Sequence, residues 1–213
     1  GDDICVTTVG ALTVNANVSN TGTGDRAILL ASDGTAATND LTINADVSTS
    51  GGNGNITLLA GDTVSFAGAT TTSATGTGTV QVRAGRAFND GGAELAGNAD
   101  GDITMNDGAI IQSDNGDITL SAPDDIQLSV VNANVTGTAG DLFITADADS
   151  SGVGAITEGL SGEAPNLIGD VATLSAATGI GSAGGSADID TSIGTLIATI
   201  AGAFIGGWIT TLV

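Results

Sequence analysis

A short phrase recurs along this chain: a polar corner, then alternating apolar and polar residues, then a small residue. It is clearest at Asn115-Gly116-Asp117-Ile118-Thr119-Leu120-Ser121-Ala122. Residues 55–60 and 101–105 repeat it, and residues 40–45 and 140–146 are close copies. Alternation at period 2 puts Ile118 and Leu120 on one face of a strand and Thr119 on the other. The Gly-Asp or Asn-Gly pair ahead of the strand suits a tight corner. A strand-and-corner unit met this often predicts a solenoid, in which each unit buries its apolar face against the next.

Eight strands are expected to start at Leu12, Ile28, Leu41, Ile56, Val80, Ile103, Ile118 and Leu142, at separations of 13 to 24 residues. Corners of variable length between strands that keep register account for the uneven spacing. Weaker strands are expected over residues 63–67, 109–112 and 125–130, giving two or three strand segments per coil. A longer period also shows: residues 14–19 reappear 29 positions later at 43–48, and a further copy stands at 131–136. The Thr-rich run 69–79 reads as a protruding loop or an outward face. Residues 146–170 read as an irregular, loop-rich coil within one domain over 1–213, because the phrase resumes at Val171.

From Thr191 onward there is no charge, and 193–213 is long enough to span a bilayer. Gly194, Gly202, Gly206 and Gly207, and the lack of flanking Lys or Arg, disfavour a membrane span. More strands are expected there. The opening Gly1-Asp2-Asp3 has no secretion leader, and the last residues fall inside an apolar phrase, so a mature or excised part of a larger chain is expected.

Composition narrows the interior. There are 34 Gly, four Phe, one Trp and no Tyr, yet 41% of residues are apolar, so the core must be thin and aliphatic. Three basic residues (Arg26, Arg83, Arg86), no His, and 24 acids leave a net charge of −21. Such a chain repels phosphate backbones, which excludes nucleic acid, and its like charge keeps an extended body soluble. The acids are 21 Asp and three Glu, a skew towards corners and away from helices. The lone Cys5 can form no internal disulfide and reads as a small core residue.

The phrases at 116–122, at 61–64, at 177–183 and at 193–199 resemble the repeats of filamentous-haemagglutinin-like bacterial exoproteins. That resemblance implies a right-handed parallel β-helix from a large secreted or surface-anchored protein, used as a stalk, adhesin or extracellular fibre. The expected fold is therefore all-β: a single β-solenoid of roughly seven to ten coils with negligible helix, about 35–50 Å long. The expected partners are other copies stacked end to end, the remainder of a larger exoprotein, or host and matrix glycans.

The residue types also limit the chemistry. With no His or Lys, no Ser-His-Asp or Cys-His arrangement and no Schiff base can form, so an enzyme is not expected. A carboxylate-based carbohydrate-active or carbohydrate-binding β-helix is the competing expectation, and Asp124-Asp125 is its only motif. A polar corner after Pro123 explains that pair more simply. Calcium is the one cofactor the pattern suits, since hard cations want clustered oxygens. Its candidate ligands are Asp100, Asp102, Asp107, Asp114 and Asp117, with Asp188 and Asp190 as a further dense pair. Three Asn-x-Ser/Thr triplets, at Asn17, Asn55 and Asn134, read as Asn ladders in the corners.

Overall fold

A computed structural model describes residues 2–88, 94–182, 187–201 and 209–211. Among them there is no helix; twenty-three strands account for the regular structure, and all but one of their pairings are parallel. The chain moves in circuits, each visiting three rows of strands. The first circuit is β1 (Ile4–Val9), β2 (Leu12–Val14) and β3 (Val18–Asn20). The second is β4 (Ile28–Asp33), β5 (Leu41–Ile43) and β6 (Val47–Thr49), and the third β7 (Ile56–Ala60), β8 (Val64–Phe66) and β9 (Thr71–Ala74). The fourth starts with β10 (Val80–Arg83), departs through β11 (Arg86–Phe88) and β12 (Glu94–Ala96), and resumes with β13 (Ile103–Met105) and β14 (Ile110–Ser113).

The fifth circuit is β15 (Ile118–Ser121), β16 (Ile126–Leu128) and β17 (Val130–Asn132). The sixth holds β18 (Leu142–Thr145), β19 (Ala155–Glu158) and the start of β20 (Leu167–Ala176). The seventh holds the rest of β20, β21 (Gly179–Ile180) and the start of β22 (Ile189–Ile200); β23 (Ile209–Thr211) follows. Each strand pairs with its counterpart one circuit on. The first row runs β1-β4-β7-β10-β15-β18-β20, and the second β2-β5-β8-β13-β16-β19-β21. The third runs β3-β6-β9-β14-β17-β20, and β20 joins it to the first because its two ends pair with β17 and β18.

Period 2 then decides the interior. In the first row Ile28, Ile56, Val80, Ile118 and Leu142 share one register position and are buried, as are Leu30, Leu58, Val82, Leu120 and Ile144 two residues on. The second row adds Leu41, Val64, Ile103, Ile126 and Ile156. All eight strand starts expected from sequence are strand starts here, but they belong to two rows. Leu12, Leu41 and Ile103 stand in the second row and the others in the first, which is the source of the uneven spacing.

Three readings need correction. Val131 aligns with Val47 and Val18 in the third row, through Thr72 and Ile111, and not with Val14 and Ile43. The third copy of the 29-residue phrase is thus displaced by one row. The Thr-rich run supplies β9, whose Thr72 is wholly buried in the inward place that Val47 and Ile111 fill elsewhere. Cys5 is exposed, because alternation sends Ile4 inward and its neighbour outward. In the tail, where further strands are expected, β22 runs on to Ile200 and β23 covers Ile209–Thr211, while residues 202–208 lie outside the described residues. Among the described residues no helix is long and apolar enough to cross a membrane.

The abundance of Asp has a geometric cause. In a parallel stack the residue just before a strand offers its C=O to the circuit before it, but its N–H faces a corner with no strand partner. The side chain at the same place in the preceding circuit accepts that N–H. Between the first two rows Asp40 Oδ1 accepts from Thr63 N at 3.3 Å, Asp102 Oδ1 from Asp125 N at 2.9 Å, and Asp125 Oδ1 from Ala155 N at 2.7 Å. Ahead of the first row Asp3, Asn55, Asp117 and Asp141 do the same for Ala27, Thr79, Asp141 and Val171. Ahead of the third, Asn17 accepts from Asp46 and Asp46 from Thr71. Asp and Asn are short enough to reach one circuit away while leaving the corner tight. Replacing Asp117 by Ala is therefore expected to cost about 1 kcal/mol in urea unfolding, because Asp141 N–H loses its acceptor, whereas Asp117→Asn keeps an acceptor and costs little.

Candidate functional site

The departure in the fourth circuit builds a concavity on the outside of the stack. After β10 the chain turns at Gly85, whose φ of 61° suits a residue without Cβ. Arg86 then pairs with Ala96 in the antiparallel β11–β12 hairpin. Gly97 N donates to Gly85 O at 2.8 Å, closing the foot of this insertion. The hairpin lies over β4 and β7 on their outer side. Ala31 and Leu59 point outward in the first row yet are 0% and 1% exposed, because the hairpin covers them. Sequence reasoning missed this element, although Asn89-Asp90-Gly91-Gly92 is a hairpin-turn composition.

At the hairpin's foot lies a cavity of about 320 Å³, lined by Gly85, Arg86, Ala96, Gly97, Asn98, Ala99, Pro123, Ala148 and Asp149. Arg86 and Asp149 bring opposite charges to it, and Asn98 brings an amide. That amide is held in place: Asn98 N donates to Gly61 O at 2.7 Å and Asn98 Nδ2 to Asp62 Oδ1 at 2.7 Å. Behind the lining stands a wall of carboxylates. Burial pushes Asp62 above the ordinary Asp range against the opposing Asn98 bond, with Asp40 and Asp102 adding repulsion. Burial likewise raises Asp102, partly offset by the bond from the Asp125 backbone, and raises Asp124, with Asp125, Asp102, Asp100 and Asp149 repelling it. Asp124 Oδ1 is buried and has no hydrogen-bond partner.

Such an arrangement can offer acidic protons and hydrogen bonds to a neutral, hydroxyl-rich ligand. It cannot attract an anion, because one guanidinium faces several carboxylates.

The five Asp residues expected to hold calcium are divided among separate corners. Asp100 and Asp102 both repel Asp124 and so share its corner. Asp107 stands apart, its Oδ1 accepting from Ser161 N at 3.2 Å, and those Ser161 bonds hold it below the ordinary range. Asp114 Oδ2 accepts from Gly76 N at 2.9 Å, and Asp117 belongs to the ladder described above. Among the described residues no three acidic, Cys or His side chains converge as a metal centre would need.

Asp125, half of the pair singled out for carbohydrate chemistry, is a ladder residue; Asp124 is the member beside the cavity, next to the lining Pro123. Compared with protein-family models, with curated proteins and with solved structures, the chain matches none.

Proposed function

We propose that the circuits wind as one right-handed parallel β-helix, and that this rod is a structural or adhesive segment of an extracellular fibre or stalk. One observation carries the reading: every row is a run of parallel strands whose neighbours lie one circuit apart. A closed barrel would pair the first strand of a sheet with its last, whereas the long sheet here has β1 and β3, both from the first circuit, at its two ends. The right hand follows from the preference of parallel crossovers. At about 4.8 Å per circuit the seven strands of the first row span about 29 Å.

Stalk and fibre roles suit such a body because its free strand edges can template more parallel strand. The edge of β1 is unpaired on one side, with Val6 and Val9 40% and 95% exposed. On this reading the partner is a further stretch of β-helix, from a second copy or from a larger exoprotein, added by edge pairing. Electron microscopy of the purified chain over a concentration series, with light scattering, is the test. Rods that lengthen in steps of the monomer length are expected. Compact particles of monomer mass at every concentration, with no gain in length when flanking segments are included, would remove the fibre reading.

The cavity at Arg86 and Asp149 favours one alternative, a β-helix that binds neutral glycans. A glycan array is expected to give no signal that Asp149→Ala or Arg86→Ala abolishes. Such a loss would move the assignment to carbohydrate binding.

A further inference from the structure

The second row carries one side chain of the wrong kind. Its inward position two residues past the strand start is filled by Val14, Ile43, Phe66, Met105 and Leu128 in successive circuits. In the sixth circuit Glu158 stands there, paired in register with Leu128. Both of its carboxylate oxygens are cut off from solvent and neither makes a well-formed hydrogen bond, the Asn166 amide being the donor that bears on them. The surroundings are polar but give it no counter-charge. Ser129, the residue that turns the chain after Leu128, is wholly buried and its hydroxyl has no partner. Asn166 is wholly buried, donating Nδ2 to Ser129 O at 3.0 Å and accepting from Asp190 N at 2.9 Å. Asp190 is 2% exposed.

The charged groups that bear on Glu158 are all acids: Asp190 and Asp188 from the seventh circuit, and Glu163 from the connection after β19. The three arginines stand in the second and fourth circuits. A carboxylate shut off from water, with like charges nearby and one neutral amide as its donor, is penalised when ionised in place. Two escapes exist: it takes a proton, or the corner opens to water.

We propose that Glu158 is a proton-operated latch on the corner between the second and third rows: uncharged, it sits inside the stack, and ionised, it opens the segment 159–166. Burial raises the Glu158 carboxyl above the ordinary Glu range, Asp190, Asp188 and Glu163 push the same way, and the nearby Asn166 amide offsets part of this. Residues 159–165 contain no strand, and 161–164 are exposed; besides Glu158's neighbours, the corner is tied down by Gly159 N donating to Leu128 O at 2.6 Å and Ser161 N to Asp107 Oδ1 at 3.2 Å. Asp190 joins the same release through the bond from its N–H to Asn166, because opening the corner removes Asn166 from its place.

Hydrogen exchange on the full chain between pH 5 and 8, corrected for intrinsic rates, tests the latch. Peptides covering 156–168 and 187–193 are expected to lose protection as pH rises, by up to tenfold per pH unit above the Glu158 titration. Peptides from the fourth and fifth circuits, such as 118–122, are expected to keep theirs. Glu158→Gln, which fixes the uncharged shape, and Glu158→Leu, which restores the aliphatic column, are each expected to make the protection independent of pH; either one that folds is sufficient. The same pH dependence in wild type and variant would overturn the proposal. So would calcium restoring wild-type protection at pH 8 but leaving Glu158→Gln unchanged, since a bound cation, and not a proton, would then be holding the corner.

Discussion

Lowering the pH from 7 to 5 is expected to raise the melting temperature of this protein. The usual expectation for carboxylates runs the other way, because most are stabilised by partners when ionised. Here Asp62, Asp102, Asp124, Glu158 and Asp190 all titrate above their ordinary ranges, with burial as the first cause in each case. A group raised in the folded state binds its proton more tightly there than in the unfolded chain. Its contribution is fully present below the ordinary carboxylate range and is lost as pH climbs through the raised value. Among the described residues Asp107 is lowered, and it is fully exposed, so it carries little weight.

The net charge of −21 acts in the same direction, since partial protonation relieves repulsion along the whole stack. The combined shift is expected to reach about 5 °C, given roughly 2–4 °C per kcal/mol for a chain of this size. Thermal melts at low and at 0.5 M salt separate the two causes. Salt screens the surface repulsion but leaves the buried groups as they are. A melting temperature that falls between pH 7 and 5 would show that the buried carboxylates are held ionised by interactions this fold does not contain.

Replacing Leu120 by Asp is expected to prevent folding, while Thr119→Asp, one residue away, changes stability by less than about 1 kcal/mol. Leu120 is wholly buried, with Val82 and Ile144 at the same position in the circuits on either side. A charge there would meet aliphatic carbon above and below and no donor, at a cost of several kcal/mol. The milder Leu120→Ala is expected to cost about 2–5 kcal/mol, towards the upper end because an interior of single aliphatic columns has few side chains free to close the gap. Thr119 belongs to the outward column with Gln81 and Phe143, where the charge stays in water. Circular dichroism with urea titration reads both variants. Equal loss from the two positions would mean that the inward and outward columns have been exchanged.

How much of this was legible beforehand follows from which signals are local. Ile118-Thr119-Leu120 states its own two faces, because successive side chains in any strand point opposite ways whatever lies beside them. The same alternation would have sent Cys5 outward had its phase been taken from Ile4; chemical type was the poorer guide. The composition of the corners was also legible, but its purpose was not. Asp102 and Asp117, read as calcium ligands, serve as acceptors for backbone N–H groups 23 and 24 residues away. A partner that distant in sequence leaves no trace in the phrase around either residue.

The sequence by itself determined the eight principal strand starts, the two faces of the alternating strands, the thin aliphatic interior and the heavy acidic charge, since all four depend on side-chain type and on a period of two. Only the tertiary structure decided which strands share a row, that the 131–136 phrase is displaced by one row, and that a hairpin lies over Leu59. It also decided that Asp124 stands beside a cavity and that Glu158 occupies a column of aliphatic residues. Those outcomes depend on pairing between distant segments, and corners that vary freely in length hide from the sequence which residue comes to rest above which.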